Sequence, residues 1–384
     1  MVKKFLYKIP FNKPCLLNKF NKNLDKKLFS TKTSGRGPYT LKVEKYLENL
    51  YGKKNTKIYL TTSCTHALEA SAIMLNLKKD DEVIVPSYTF VSTALSFMMH
   101  GAKIKFCDIR SDNMNIDQDA IEKLITKKTR AIVVVHYGGF ACDMDSIIKI
   151  AKKHKIFVIE DNAHGLFGKY KNKHLGTIGD FSTLSFHETK NISCGEGGAL
   201  IINNKKFQSR AKLIIEKGTN RIDFSEGYLK KYSWVDKGSS YIPSDILAAV
   251  LYNQLKTHKK IQEKRLKIWN LYYKKLKDWA ILNGIQMPKL DQNSIHTGHL
   301  FFLIFPTTQK KEKAIIAMKK KKIQLATHYL PLHKSTYYLK NSDKKPILRN
   351  SEKLSKRIVR LPIYYNLKNS EQNKIIKNIL EHNV

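Results

Sequence analysis

The sequence predicts an α/β protein with a mainly parallel central sheet and a smaller C-terminal α+β domain. Through the first two thirds of the 384 residues, short apolar runs alternate with segments of helical periodicity. This alternation is typical of βαβ units. From residue 244 to about 277 it gives way to one long helical, lysine-rich stretch without Gly or Pro. The chain is also longer than one small core requires, which favours two domains.

Each predicted strand of the first domain is a short, largely β-branched run. Residues 131–135 read Ala-Ile-Val-Val-Val, as expected of a strand that is buried on both faces. A further strand begins at Phe181 and is predicted to end at Lys190. The other predicted strands cover residues 58–60, 83–85, 103–106, 156–159 and 199–202.

Helices are predicted between these strands. Asp117 is placed as the N-cap of a helix that carries Ile121, Leu124 and Ile125 on one face. Two further helices cover residues 65–77 and 145–154, and the smaller domain consists of a strand at 300–305 and helices at 312–320 and 371–380. We place the domain boundary so that residues 1–258 form the large domain, with the N-terminal segment, and 259–384 the small one.

The net charge of +38 raises the alternative of a nucleic-acid-binding protein, since phosphate neutralisation requires positive charge. Of the 70 basic residues, 61 are Lys and nine are Arg. Base-edge readout favours the guanidinium fork of Arg, which is scarce here. The lysines are also spread along the whole chain among Asn and Ile, which indicates a general compositional bias rather than a binding surface. We therefore expect no nucleic-acid partner.

Other classes are excluded on simpler grounds. No run of 18 apolar residues occurs, so no membrane span is expected. Five scattered cysteines without a Cys-x-x-Cys pair predict neither a disulfide framework nor a metal site. A reducing, cytoplasmic setting is the simplest interpretation.

The candidate chemistry lies in segments that follow predicted strands, because parallel sheets bind ligands at the carboxyl ends of their strands. Residues 60–68 read Leu-Thr-Thr-Ser-Cys-Thr-His-Ala-Leu, a strand end followed by a helix start. Free N–H groups and the positive end of the helix dipole suit a phosphate at such a junction. An ordinary Ser/Thr helix cap explains the same residues.

Two further segments carry an acid and a lysine. Asp161 ends a buried strand, where its carboxylate suits either a protonated heterocyclic nitrogen or a structural salt bridge. Lys190 precedes a compact Gly-Glu-Gly-Gly turn at residues 195–198. Most of the 61 lysines are surface charges, but one at a strand edge before such a turn is a candidate for covalent binding of a carbonyl group.

Four separated motifs resemble those of the DegT/DnrJ/EryC1/StrS sugar aminotransferases. They are Ser-x-Thr-x-Ala-Leu at 63–68, Pro-Ser-Tyr-Thr-Phe-Val-Ser-Thr at 86–93, Glu-Asp-x-Ala-His at 160–164, and Ser-Phe-His-x-x-Lys with Gly-Glu-Gly-Gly at 185–198. The resemblance extends from residue 9 to residue 367. It implies the aspartate-aminotransferase-like fold (fold type I) and pyridoxal 5′-phosphate as cofactor.

Within the family, several stretches are most similar to the transaminases that make dTDP-4-amino-4,6-dideoxygalactose. These stretches are residues 86–93, 185–191, 216–221, 238–241, 328–333 and 360–367. Many family members carry Asn and Arg in a Gly-x-Asn-x-Arg segment, where this chain has Ser240 and Ile242.

The resemblance also implies residue roles. Lys190 would bind the cofactor covalently and move the proton between Cα and C4′, and Asp161 would keep the pyridine nitrogen protonated. The other cofactor contacts would come from Cys64, Thr65 and Ser185 at the phosphate, Phe90 stacked on the ring, His164 near the ring and its phenolic oxygen, and Ser240 at the phosphate of the neighbouring subunit. Tyr88, His328 and His333 are weaker candidates for the sugar pocket, since each residue type is often half-buried for packing.

The reaction implied is transfer of an amino group from L-glutamate to dTDP-4-keto-6-deoxy-D-glucose in a homodimer. A Lys at position 190 favours transamination, because the related sugar dehydratases have His there. Two alternatives remain open at the level of sequence. One is an aminotransferase for another keto sugar, linked to UDP or GDP, and the other is the nucleic-acid-binding protein.

Overall fold

The protein is described by a computed structural model that covers residues 7–15, 32–51, 56–342 and 345–382. These residues contain twelve strands. They are β1 (Lys57–Thr61), β2 (Glu82–Pro86), β3 (Lys103–Cys107), β4 (Thr129–Val135), β5 (Phe157–Asp161), β6 (Lys169–Tyr170), β7 (Lys173–His174), β8 (Phe181–Ser185), β9 (Gly198–Ile202), β10 (Ser294–Ile295), β11 (Phe301–Ile304) and β12 (Ile358–Leu361).

The central sheet has seven strands in the order β1-β9-β8-β5-β4-β2-β3. Only β9 runs against its neighbours, and the other six strands are parallel to one another. The prediction of a mainly parallel sheet is therefore confirmed. Residues of β4, β5, β8 and β9 are almost entirely buried. This burial on both faces explains the continuous apolar runs of β4 from Ala131 and of β9.

Thirteen α-helices lie in the described ranges. They are α1 (Pro38–Tyr51), α2 (Cys64–Met74), α3 (Ser92–Met98), α4 (Gln118–Ile121), α5 (Met144–His154), α6 (Gln208–Ile215), α7 (Arg221–Ser225), α8 (Asp245–Lys256), α9 (His258–Leu282), α10 (Thr308–Lys320), α11 (Thr336–Asn341), α12 (Arg349–Ser355) and α13 (Asn369–Leu380). None of the described helices is long and apolar enough to cross a membrane.

Helix caps follow the sequence closely. Asp117 caps α4 as predicted, because its side chain accepts the N–H of Asp119. The helix predicted from residue 145 begins at Met144, since Asp143 is the cap and accepts the N–H of Ser146.

The long helical stretch predicted from residue 244 is two helices, which corrects the prediction. Thr257 interrupts it between α8 and α9: both its N–H and its hydroxyl donate to the carbonyl oxygen of Gln254, each at 3.0 Å. This local hydrogen bonding competes with continuation of the helix, as is common for Thr. The domain boundary that we place after residue 258 remains a prediction, and it lies beside this break.

The C-terminal region packs around the antiparallel pair β11–β12, in an apolar cluster that also includes Tyr88, Tyr137 and Phe140 from the first part of the chain. Trp269 and Tyr272 of α9 pack there against Phe301. The N-terminal segment joins the same core, since Ile9 pairs with Ile323 and belongs to that apolar cluster. This position brings residues 9–12 to the side of the large sheet where β1, β5 and β8 end.

Candidate active site

A cavity of about 620 Å³ opens at the carboxyl ends of β1, β5 and β8 and is closed on the other side by the C-terminal region. This volume is typical of small-molecule sites. Eight of the predicted site residues line it: Cys64, Thr65, Phe90, Asp161, His164, Ser185, Lys190 and His328. The structure thus brings together residues that lie as much as 264 positions apart in the chain (from 64 to 328).

Three of the predicted residues lie outside this cavity. Tyr88 is 1% exposed and packs with its ring centre 5.5 Å from that of Tyr137. His333 uses both ring nitrogens, with Nδ1 2.6 Å from Ser87 Oγ and Nε2 3.1 Å from Glu352 Oε1. Both residues therefore pack and form hydrogen bonds behind the cavity. This position does not favour a direct contact with the sugar. Ser240 is exposed on the surface of this chain, in a bridge with Glu216.

The start of α2 forms one wall. Ser63 caps the helix by accepting the N–H of His66 at 3.1 Å, and Cys64 and Thr65 begin it. The first N–H groups of a helix have no partner within the helix and attract anions. A Cβ at Gly198 would lie 2.3 Å from the carbonyl carbon of Ser63 and 2.4 Å from the nitrogen of Cys64. Glycine at the end of the Gly-Glu-Gly-Gly turn is therefore required for β9 to approach this helix start.

Asp161 stands at the end of β5 and faces the cavity. Its Oδ2 accepts the hydroxyl hydrogen of Thr93 at 2.7 Å, and its Oδ1 accepts the N–H of Ala163 at 3.3 Å. Burial raises the pKa of Asp161, while these hydrogen bonds and the charge of Lys190 oppose the rise. A buried carboxylate with lone pairs left over can accept a further hydrogen bond from a protonated ligand nitrogen.

Lys190 does not end a strand as predicted. Strand β8 ends at Ser185, and Lys190 lies in a turn closed by its own N–H, which donates to the His187 carbonyl oxygen at 2.9 Å. Beyond Ser185 the N–H of Phe186 still pairs with the Gly197 carbonyl at 2.8 Å, and the Phe186 carbonyl accepts the N–H of Cys194 at 3.0 Å. Residues 187–193 therefore form a loop, and this loop carries Lys190. Burial lowers the pKa of Lys190, and this favours the neutral amine.

Aromatic and histidine side chains complete the cavity. Phe90 is 56% exposed, which is unusual for a large apolar ring and leaves a face free for a planar ligand. His164 Nδ1 accepts the N–H of Gly138 at 3.2 Å, so that the proton of the neutral ring is on Nε2. Burial, together with the charges of Lys190 and Arg360, holds the pKa of His164 well below its usual value.

Sequence reasoning missed several residues of this site. Thr93 belongs to the 86–93 motif and Arg360 opens the 360–367 stretch, so both carried a signal that was not used. Thr183 accepts a hydrogen bond from the Cys64 thiol at 3.3 Å and precedes Ser185 by two positions on β8. Tyr329 likewise lies in the 328–333 stretch. His299 had no local signal, because only the tertiary fold brings the C-terminal region against the sheet.

These residues fit pyridoxal phosphate. The helix start at Cys64 and Thr65, with the cradle that Gly198 keeps open, suits the phosphate. Asp161 suits the ring nitrogen, Phe90 a ring face, and Lys190 the carbonyl carbon. Each chemical group of this cofactor therefore has a suitable partner among the residues of the cavity.

Comparison with known proteins agrees with this geometry. Residues 14–380 match the model of the DegT/DnrJ/EryC1/StrS aminotransferase family. The chain is 30% identical to a GDP-perosamine synthase of Escherichia coli O157:H7 over 97% of this chain and 98% of that protein. It is 33% identical to a UDP-4-amino-4,6-dideoxy-N-acetyl-β-L-altrosamine transaminase of Campylobacter jejuni, over 72% of this chain and 73% of that protein.

A solved structure shows the same fold. The PseC aminotransferase of Helicobacter pylori, which is involved in pseudoaminic acid biosynthesis, superposes with a TM-score of 0.86 at 26% identity. The match covers 97% of this chain and 98% of that one. The chain therefore belongs to the DegT/DnrJ/EryC1/StrS family and is a pyridoxal phosphate-dependent sugar aminotransferase.

Proposed function

We propose that this enzyme converts dTDP-4-keto-6-deoxy-D-glucose to dTDP-4-amino-4,6-dideoxy-D-galactose, with L-glutamate as amino donor. The observation that carries the aminotransferase chemistry is the presence of Lys190 and Asp161 in one cavity. The choice of sugar and nucleotide is supported by the similarity of residues 86–93, 185–191 and 328–333 to one subgroup of the family.

The reaction divides between the cofactor and the chain. Bound pyridoxal phosphate would supply an electron sink for the electron pair that remains on the donor's Cα when its proton leaves. Asp161 would hold the proton on the ring nitrogen, because its carboxylate is buried and its Oδ2 is fixed by the Thr93 hydroxyl. The helix start and Ser185 would bind the phosphate, and Phe90 would orient the ring.

Lys190 moves the proton. With an amino donor bound, the Nζ of Lys190 would be free, and in its neutral state it would take the proton from Cα of glutamate. When the keto sugar is bound in place of the amino acid, the same amine delivers a proton to C4 of the sugar. The lowered pKa of Lys190 supports this role, because a neutral amine is needed to accept the first proton.

A second candidate is amination of a UDP- or GDP-linked keto sugar. The names of two relatives favour it: one is a GDP-perosamine synthase and the other makes a UDP-linked 4-amino-4,6-dideoxy sugar. Both relatives form amino sugars, and their nucleotides differ. The product assay below therefore includes all three nucleotides.

We further propose that the active enzyme is a homodimer in which residues 218–221 and 238–241 reach the site of the other subunit. These two stretches pack together: a Cβ at Gly238 would lie 2.2 Å from the nitrogen of Gly218, and the N–H of the adjoining Lys217 donates to the Ser239 carbonyl at 3.0 Å. Around them Tyr228 and Trp234 are 75% and 81% exposed. Exposed aromatics of this kind support a protein interface, and a two-fold dimer is the commonest closed assembly. Sedimentation of the active enzyme as a monomer would contradict the proposal.

We also propose a cytoplasmic location. All five cysteines are free thiols, and four of them are buried. Unpaired cysteines are typical of a reducing compartment. Fractionation of the producing cells, with detection of the untagged protein, tests this location.

The experiment that tests the substrate mixes enzyme, pyridoxal phosphate and glutamate with each nucleotide-linked keto sugar in turn, and identifies the products by NMR. The expected product is dTDP-4-amino-4,6-dideoxy-galactose, in which the amine is axial. The gluco epimer would contradict the stereochemistry proposed. Amination of the UDP or GDP sugar alone would refute the choice of thymidine and support the second candidate.

A further inference from the structure

Arg360 is a charged residue of the cavity for which the reaction described above has no use. It lies on β12, and its backbone is held on both sides, by Phe302 of β11 and by hydrogen bonds of 2.8 and 3.2 Å with Ala326. The guanidinium is packed on Phe11, with Cζ 4.4 Å from the centre of that ring. These contacts hold the cation in one place at the wall of the cavity.

The hydrogen bonds of this guanidinium are incomplete. One terminal nitrogen donates to the Thr327 carbonyl oxygen at 2.7 Å, whereas the buried Nε has no partner among the described residues. Burial raises the pKa of the neighbouring Tyr88, Tyr137 and Tyr329, so these phenols are uncharged and supply no anion to Arg360. Within the described ranges no carboxylate is among the groups that shift the pKa of Arg360. An unsatisfied buried guanidinium is costly unless an anion completes it.

Arg265 offers a comparison within the same cavity. It donates to the carbonyl oxygens of Gly298 and His299 at 3.3 and 2.8 Å, and it is 4% exposed. Its hydrogen bonds thus tie α9 to the chain before β11. Arg360 has one such carbonyl and retains donors for a ligand.

We propose that Arg360 is the receptor for a carboxylate of the amino donor. This inference rests on the proposed function, and it adds the group that recognises the donor. With Asp161 engaged by the ring nitrogen and the amine of Lys190 engaged by the carbonyl carbon, Arg360 is left as an uncompensated charge. A carboxylate restores the balance and matches the fork of the guanidinium.

The other anion available is the diphosphate of the sugar nucleotide. The position of Arg360 favours the carboxylate, because its charge acts on both Lys190 and His164, where the reacting carbon must lie. In an α-amino acid the α-carboxylate is bonded to the reacting carbon. In the keto sugar the diphosphate is attached at C1, across the pyranose ring from the reacting C4.

The test uses Arg360→Gln and Arg360→Lys in the cofactor-loaded enzyme, with Arg357→Gln as the matched control. Arg357 precedes β12 and is not among the residues that line the cavity. The control substitution removes one positive charge, as Arg360→Gln does. The two half-reactions are measured separately in single turnovers, by the absorbance of the cofactor. Binding of glutarate, a dicarboxylate without an amine, is measured by calorimetry, and thermal unfolding shows whether each variant is folded.

For Arg360→Gln we expect kcat/KM for glutamate to fall about 30- to 100-fold, mainly through KM, as for loss of a charged hydrogen-bonded pair. Glutarate should bind at least about tenfold more weakly, and Arg360→Lys should lie between the wild type and Arg360→Gln. The half-reaction with the keto sugar should change less than about threefold, and Arg357→Gln should match the wild type in every measurement.

Two results would overturn the assignment. A loss confined to the keto-sugar half-reaction would make Arg360 a diphosphate receptor. Unchanged glutamate kinetics and unchanged glutarate binding in folded Arg360→Gln would make its role structural. A wild-type enzyme that consumes no glutamate would instead refute the donor in the proposed function, while the glutarate titrations would still decide the role of Arg360.

Discussion

Glu160 and Asp161 are neighbours on β5, but they face opposite sides of the sheet and differ in their hydrogen-bond partners. Glu160 is fully buried and accepts hydrogen bonds from His136 Nε2 at 3.0 Å and from three backbone N–H groups at 2.6 to 2.7 Å. Asp161 accepts hydrogen bonds from Thr93 and Ala163 and borders the cavity. Successive residues of a strand face opposite sides, so adjacent acids can serve different purposes.

The pKa shifts follow from this difference. At Glu160 burial acts to raise the pKa, but the bond to His136 and the backbone N–H groups outweigh it and the pKa is lowered. At Asp161 burial prevails and the pKa is raised. A carboxylate has about four acceptor positions. Those of Glu160 are filled by the protein itself, whereas Asp161 keeps capacity for a ligand. We infer that Glu160 stabilises the fold and that Asp161 serves the reaction.

The largest expected effect is on the Asp161 side of the sheet, at Lys190. Lys190→Ala should bind pyridoxal phosphate without a covalent bond and lose both half-reactions, because no other group moves the proton. General acid–base catalysis alone contributes about 10²–10⁴-fold. Borohydride reduction of the wild type followed by peptide mapping should place the pyridoxyl label on Lys190, and a label on another lysine would refute the assignment.

The second effect compares the two acids directly. Asp161→Asn should remain folded and lose about 10³-fold in kcat, which corresponds to about 4 kcal/mol of barrier. The physical reason is that a neutral amide cannot hold the proton on the ring nitrogen. Steady-state kinetics measures the loss, with circular dichroism as the control for folding. Near-normal turnover would mean that Asp161, like Glu160, is structural.

The third effect appears in stability rather than activity. Glu160→Gln should destabilise the fold by about 3 kcal/mol, since it leaves His136 and the backbone donors facing a neutral amide. Denaturant unfolding measures this change. The activity per folded molecule should stay within a few-fold of the wild type. A loss of activity comparable to that of Asp161→Asn would show that Glu160 also serves the reaction.

The smallest effect is the pH dependence of the cofactor-free protein. The folded pKa of Glu160 lies below its unfolded value of about 4.3, so its stabilisation is present above that pH and is lost as the pH falls through the folded pKa. The folded pKa of Asp161 lies above its unfolded value of about 3.9, so stability decreases as the pH rises through that window.

Denaturation midpoints between about pH 2 and pH 8 should therefore separate the two variants, because the Glu160 window lies below its unfolded pKa of about 4.3. Glu160→Gln should show a weaker loss of stability in acid than the wild type. Asp161→Asn should be at least as stable as the wild type at pH 8, because it removes a carboxylate whose charge is disfavoured by burial. If the denaturation midpoints of both variants change in the same direction relative to the wild type at both ends of this pH range, the contrast between the two sides of β5 does not hold.

Much of this site could be predicted from local sequence. The strands at 131–135 and 156–159, the acid at Asp161 and the small residues at 63–65 follow from hydrophobic period and turn chemistry. The sequence predicts Lys190 as a site residue at a strand end, whereas the structure places it on a loop of the cavity, because the pairing of Phe186 with Gly197 across this loop is not visible in local sequence. The burial of Tyr88 and His333 behind the cavity also depends on tertiary packing, so local sequence cannot separate them from the residues that line it.

The sequence by itself determined the layered α/β architecture, since periodicity and capping are properties of neighbouring residues. Its motifs also selected Asp161 and Lys190 as the candidate acid and lysine, and both line the cavity. Only the tertiary structure decided which of two adjacent acids faces the cavity and that Arg360 lies beside Lys190 without a carboxylate partner in the described chain. The physical reason is that burial and hydrogen-bond partners arise between segments far apart in sequence, as between Arg360 and Phe11.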